Sequence, residues 1–136
     1  MALSERQALQ VATTLAGLVP VTAGLAGVIV GPSFVAGTGD ISVDSHFRYL
    51  SGLLLGLGLA VWLSVPRIER YRQRFALIGS VVAIGGVARL ASMAAGGVPN
   101  AGMLFGLAME LLVTPAICIW QSRVARLTGE RGHAQA

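Results

Sequence analysis

The sequence predicts an all-α integral membrane protein: one domain, residues 1–136, in which four transmembrane helices form a bundle with N and C termini cytoplasmic. Three observations predict it. Hydrophobic residues make up 54 % of the chain and charged residues 12 %, about half the charged share of a soluble domain, and the mean hydropathy is +0.73. The apolar residues gather in four runs, roughly 9–31, 47–65, 75–95 and 102–121, each near the ~20 residues that cross a ~30 Å hydrocarbon layer as a helix. Eight of the ten arginines lie at the N-terminus (Arg6), in the second connection (Arg67, Arg70, Arg72, Arg74) and at the C-terminus (Arg123, Arg126, Arg131).

Helices are the form these runs must take, because open sheet edges and lipid-exposed loops leave backbone groups without partners in hydrocarbon. The first run is longer than the 7–15 apolar residues of a signal peptide and reads as a span. The first connection holds Asp40 and Asp44 and no basic residue, and the third, GGVPNA, holds no charge. The excess of arginine elsewhere puts both termini and the second connection on the cytoplasmic side. Trp62 and Trp120 fall near the cytoplasmic ends, as interfacial anchors do. The segment from Arg67 to Arg72 is expected along the anionic headgroups. The arginines flank spans and are too few to form a phosphate track, so nucleic acid is excluded as a partner.

Each span carries a stripe of small residues of the kind that lets helices approach closely in lipid. Gly24 and Gly27 mark it in the first, Gly52 and Gly56 in the second, Gly85 in the third, and Gly102 and Gly106 in the fourth. The stripe of the second, Asp44, Arg48, Gly52, Gly56, is spaced by four throughout, as is that of the fourth, Gly102, Gly106, Glu110. Spacings of three and four share one helical side, though a strict four drifts around the helix. The charges inside the spans therefore face neighbouring helices. At 1.5 Å per residue, Glu110 lies roughly 12 Å and Arg89 roughly 9 Å below the ends of their helices, and Arg48 only about 3 Å. The short third connection makes the third and fourth spans antiparallel neighbours, so Arg89 and Glu110 are expected to pair. Pro20 and Pro115 lie inside spans and are expected to kink them, Pro115 freeing the carbonyl of Leu111. Pro66 stops the second span.

The segments DSHFRYLSGLLLGLGL (Asp44 to Leu59), GGVARLASM and GLAMELLVTP resemble a family of small bacterial four-span membrane proteins known only as a domain of unknown function, 4345. In that family an Asp-x-His-Phe-Arg segment opens the second span, and an arginine in the third span and a glutamate before a proline in the fourth follow. The matching positions are Asp44, His46, Phe47, Arg48, Arg89, Glu110 and Pro115. The resemblance covers about residues 10 to 127. It implies a multi-pass protein of the bacterial inner membrane and implies no reaction.

Two readings of Asp44, His46, Arg48, Arg89 and Glu110 stand side by side. One is a buried ion-pair network that fixes helix register. The other is a polar pocket for a ligand, since ionisable residues inside a membrane are functional candidates by default. His46 is expected to cap or hydrogen-bond at the start of the second span. No three-ligand metal set, phosphate loop, nucleophile motif or CxxC pair occurs, so no metal, cofactor or catalytic residue is expected. Cys118 reads as a small packed residue. The expected role is that of a scaffold or accessory subunit. The expected partners are the lipid bilayer with a larger membrane complex or a second copy, or, on the alternative reading, a lipophilic or anionic ligand.

Overall fold

The computed structural model describes residues 4–34 and 40–133. Its elements are α1 (Glu5–Val30), a 3-10 turn (Gly31–Phe34), α2 (Ile41–Ser64), a second 3-10 segment (Val65–Arg70), α3 (Arg72–Gly96), α4 (Ala101–Ala108), a π turn (Met109–Val113) and α5 (Thr114–His133). Four stretches, Glu5–Ser33, Ile41–Arg70, Arg72–Gly96 and Ala101–Thr128, are long and apolar enough to cross a membrane. Each is longer than its apolar run. At α2, the Asp40 carboxylate accepts the Ser42 N–H at 2.6 Å and starts the helix at Ile41, ahead of the first uninterrupted apolar residues. Asp40, and not His46, is the cap. The helices sort into two compact units, Thr13–Val65 and Met1–Ala12 with Pro66–Ala136.

In the unit Thr13–Val65, α1 and α2 run antiparallel. A Cβ placed on Gly24 would meet the backbone N of Leu55 at 2.6 Å, one on Gly27 would collide with the Ser51 hydroxyl, and one on Gly58 would meet Val21 at 2.8 Å. The face of α2 that meets α1 is therefore Phe47, Ser51, Leu55, Gly58 and Trp62, with steps of four and three. It is not the strict-four stripe expected from the sequence. A step of four advances the side chain by about 40° beyond a full turn. Starting from Asp44 and Arg48, the stripe has left the contact by Gly52, which meets only Val28 at 3.9 Å, and by Gly56, which meets nothing within 4 Å. Trp62 donates its indole N–H to the Thr14 carbonyl at 3.0 Å, over the gap left by Gly17. Its polar edge is satisfied by α1 and not by an interface with water. Pro20 lies within α1 without interrupting it, and its ring packs toward Gly58.

In the second unit, α3 runs antiparallel to α4, the π turn and α5. Gly97 ends α3 at φ +94, with its N–H on the Met93 carbonyl at 2.9 Å, a conformation that only glycine adopts freely. Asn100 caps α4 by accepting the Met103 N–H at 3.0 Å. Gly102 therefore lies beside this cap and not in a helix contact. The contact of α3 passes through Phe75, Gly79 and Gly86. A Cβ on Gly79 would meet Cys118 Sγ, and one on Gly86 would meet Leu111, both at 2.6 Å. Gly85 and Gly106 stand open, with nothing within 4 Å. Cys118 is half-buried in the Gly79 gap and donates to the Phe75 carbonyl at 3.3 Å.

The core of this unit lies at the arginine-rich end, where Leu9, Ile68, Phe75, Ile78 and Val124 are buried. Val65–Arg70 does not simply lie flat. Its backbone breaks from helix at Arg67, and Ile68 is driven inward until it is 0 % exposed. Arg6 and Gln121 hold the segment there. Arg6 bonds the Pro66 carbonyl at 2.8 Å and the Glu69 carboxylate at 2.9 Å. Gln121, also 0 % exposed, donates to the Ile68 carbonyl at 2.7 Å. Arg123 reaches Glu5 at 3.2 Å, tying α5 to the first turn of α1.

The glycines divide cleanly by what a side chain would meet. Gly24→Leu must push α2 backbone aside and should cost more than the ~1–3 kcal/mol of ordinary overpacking, whereas Gly56→Ala should be neutral or stabilise by about 0.5–1 kcal/mol through helix propensity. Unfolding of both variants in detergent checks this. Gln121→Glu buries a carboxylate against the Ile68 carbonyl and should destabilise more than Gln121→Leu, which only removes that carbonyl's side-chain donor and leaves it the long Tyr71 N–H bond of 3.4 Å. The same unfolding titration ranks them. The bonds from the Ser42 side chain and backbone hold Asp40 below the usual carboxylate range. A depressed carboxylate supports the folded form above its unfolded pKa and loses that support as pH falls through the folded one. The first turn of α2 should therefore fray in acid, and Asp40→Asn should remove the pH dependence, read from the Ser42 and Val43 amide resonances.

Candidate functional site: an arginine–glutamate pair beside a cleft

The chemistry-bearing residues form two separate pairs. Arg89 of α3 holds Glu110 with two parallel bonds, Nε to Oε2 at 3.0 Å and Nη2 to Oε1 at 2.9 Å. This fork-to-fork geometry is the strong form of the contact. Three local features position it. Gly86, one turn before Arg89, lets the Glu110 backbone approach: a Cβ there would meet Glu110 Cβ at 3.1 Å. The π turn Met109–Val113 contains Glu110. Pro115 follows it, and its missing N–H and its ring clash disfavour the ordinary bond to the Leu111 carbonyl. The wider turn accommodates this, and Thr114 bonds the Met109 carbonyl through both its N–H and, at 2.9 Å, its hydroxyl. The kink expected at Pro115 is thus a π turn, the form in which helices often absorb an extra residue at functional sites.

The pair is not fully buried. The Arg89 and Glu110 side chains are 31 % and 19 % exposed. A cleft of about 340 Å³ opens beside Arg89, lined by Gly85, Ser92, Met93, Pro99 and Met103 among others. Inside it the Arg89 Nη1 group points at the thioether of Met103, 3.1 Å away.

Arg48 and Asp44 belong to the other unit and do different work. Arg48 Nε bonds Asp44 at 2.8 Å, four residues back on α2. Its Nη1 bonds the Val28 and Ile29 carbonyls at 2.6 and 3.0 Å. These are among the last carbonyls of α1, which have no intrahelical partner, and a cation there also suits the helix dipole. Gly31, at φ +75, lies directly under this pair: a Cβ would meet Asp44 Oδ1 at 2.6 Å and Arg48 Nη2 at 2.7 Å. Glycine is required there on both counts. His46 is exposed in a shallow groove with Ile41, Ser45 and Tyr49 and joins neither pair.

A single buried network of Asp44, His46, Arg48, Arg89 and Glu110 is therefore not what the chain builds. The strict-four spacing that seemed to align these residues does not follow one face of a helix, and each arginine finds its acceptors within its own unit. Among the described residues no cluster of three His, Cys, Asp or Glu side chains could hold a metal ion. Sequence reasoning missed Met103 and Gln121. Met103 is seven residues before Glu110 and shares its side of the helix, a signal that was present. Gln121, a polar residue at the end of an apolar run, gave no sign that it turns inward.

Residues 8–121 match the family model described as Domain of unknown function (DUF4345). The chain belongs to this family. Neither the curated proteins nor the solved structures gave a match. The pattern that suggested the family, Asp44 to Arg48, Arg89, and Glu110 before Pro115, falls within the matched residues.

The bidentate pair makes a sharp energetic expectation. Arg89→Ala and Glu110→Ala each strand a partly desolvated charge and should each destabilise, by less than the ~3–5 kcal/mol of a fully buried pair. The double variant should cost clearly less than the sum, because it strands none. Additive losses in a double-mutant unfolding cycle would mean that the two side chains do not interact.

Proposed function

We propose that this DUF4345 protein is a non-enzymatic, multi-pass protein of the bacterial inner membrane that serves as a small scaffold or accessory subunit of a larger assembly. The observation that carries the reading is how its polar groups are used. Arg48 is occupied by Asp44 and the carbonyls of α1, and Arg89 is forked onto Glu110. Neither pair leaves a nucleophile beside a base or a proton carrier beside a reacting centre, which an enzyme site needs. The open glycines Gly56 and Gly106 are surfaces on which a partner helix fits closely. Both termini and the Val65–Arg70 segment are cytoplasmic on this reading, because the arginines collect there and the first and third connections hold none.

A second reading has its own observation. The cleft beside the partly exposed Arg89 favours a binding protein or small carrier for a lipophilic ligand. A polar group set in a mainly apolar concavity is the usual form of such a site.

Extraction in mild detergent with native lipids tests the first reading. A co-purifying membrane protein or a defined oligomer is expected, released by Gly56→Leu or Gly106→Leu. A monomer with no partner under every mild condition overturns it. Reporter fusions at residue 38, at residue 99 and at the C-terminus test the orientation: the first two should report the periplasm and the last the cytoplasm.

A further inference from the structure

We infer that the cleft beside Arg89 receives the uncharged carbonyl head of a membrane-soluble amphiphile; the inference rests on the ligand-binding reading above. The donor count points to it. A guanidinium has five N–H donors. Arg89 uses Nε and one Nη2 donor on Glu110, and Nη1 points at the Met103 sulfur at 3.1 Å. A thioether is a weak acceptor, so the strongest donor lining the cleft lacks an acceptor of matching strength. A carbonyl oxygen supplies one.

The same geometry selects against an anion. Glu110 already neutralises Arg89 through both of its oxygens, so a carboxylate or phosphate entering the cleft would meet a second negative charge nearby with no free cation to offset it. Size and surroundings narrow the class further. About 340 Å³, walled by Met93, Pro99, Met103 and the bare backbone of Gly85, is room enough for a ring or ester head. The cleft is open on one side, which leaves room for a hydrocarbon tail. Depth agrees. Arg89 lies seven residues, roughly 10 Å, before the end of α3 at Gly96, so the head must be one that dissolves below the headgroup layer.

Two sources share this chemistry, a quinone carbonyl and the ester carbonyl of an uncharged acylglycerol. The test uses the full chain in detergent, titrated by calorimetry with decylubiquinone, with dioctanoylglycerol and with dioleoylphosphatidylglycerol. Saturable binding of at least one uncharged probe is expected, and which one binds identifies the source. G85L and S92L should weaken it at least tenfold by filling the cleft. A Cβ on Gly85 meets nothing within 4 Å, so G85L should keep wild-type helicity, and S92L repeats the test from another wall. Binding of an uncharged probe that neither variant weakens overturns the site. Binding of phosphatidylglycerol alone, weakened by G85L, keeps a ligand role and overturns the uncharged class. No binding of any of the three overturns both.

Discussion

The chain depends on finding donors for the carbonyls that its helix ends and breaks leave exposed. Water does this work in a soluble protein; in hydrocarbon the protein must do it. Arg48 takes the carbonyls of Val28 and Ile29 at the end of α1. Arg6 takes that of Pro66 and Gln121 that of Ile68 in the segment after α2. Trp62 and Cys118 add donors within the helix pairs. With these bonds in place, a chain of few charges can turn between spans and still bury Ile68 completely.

The two arginines inside spans show how one residue type serves two ends. Arg48 sits near a helix terminus, has a carboxylate on its own helix and caps its neighbour. It is a structural closure, and Gly31 is the space that closure needs. Arg89 sits deeper, finds its carboxylate across a hairpin and borders a cleft. The difference arises from depth and partner, and it separates a fastening from a candidate site although both residues are arginines inside spans.

The helices were legible because their cause is composition: long apolar runs have one stable form in lipid. The pairing of Arg89 with Glu110 was legible because a short connection fixes which helices meet and 1.5 Å per residue fixes the depth. The contact faces were not. Gly56 and Gly85 look like packing glycines in a four-residue stripe, yet Gly58 and Gly86 do the packing, because a face alternates steps of three and four. The inward turn of Ile68 was illegible for another reason. Its flanking arginines mark the segment as polar, and only the tertiary bonds from Arg6 and Gln121 explain why an isoleucine between them is hidden.

Those same bonds impose an order on assembly. The Val65–Arg70 segment is made some fifty residues before Gln121 and Arg123. Until then the Ile68 carbonyl has no donor from α5, and Glu5 has no arginine to meet. The Arg6 bonds to Pro66 and Glu69 can form first, and α5 adds those to the Ile68 carbonyl and Glu5 on arrival. α5 is thus a latch for the first turn of α1 as well as part of the fourth span.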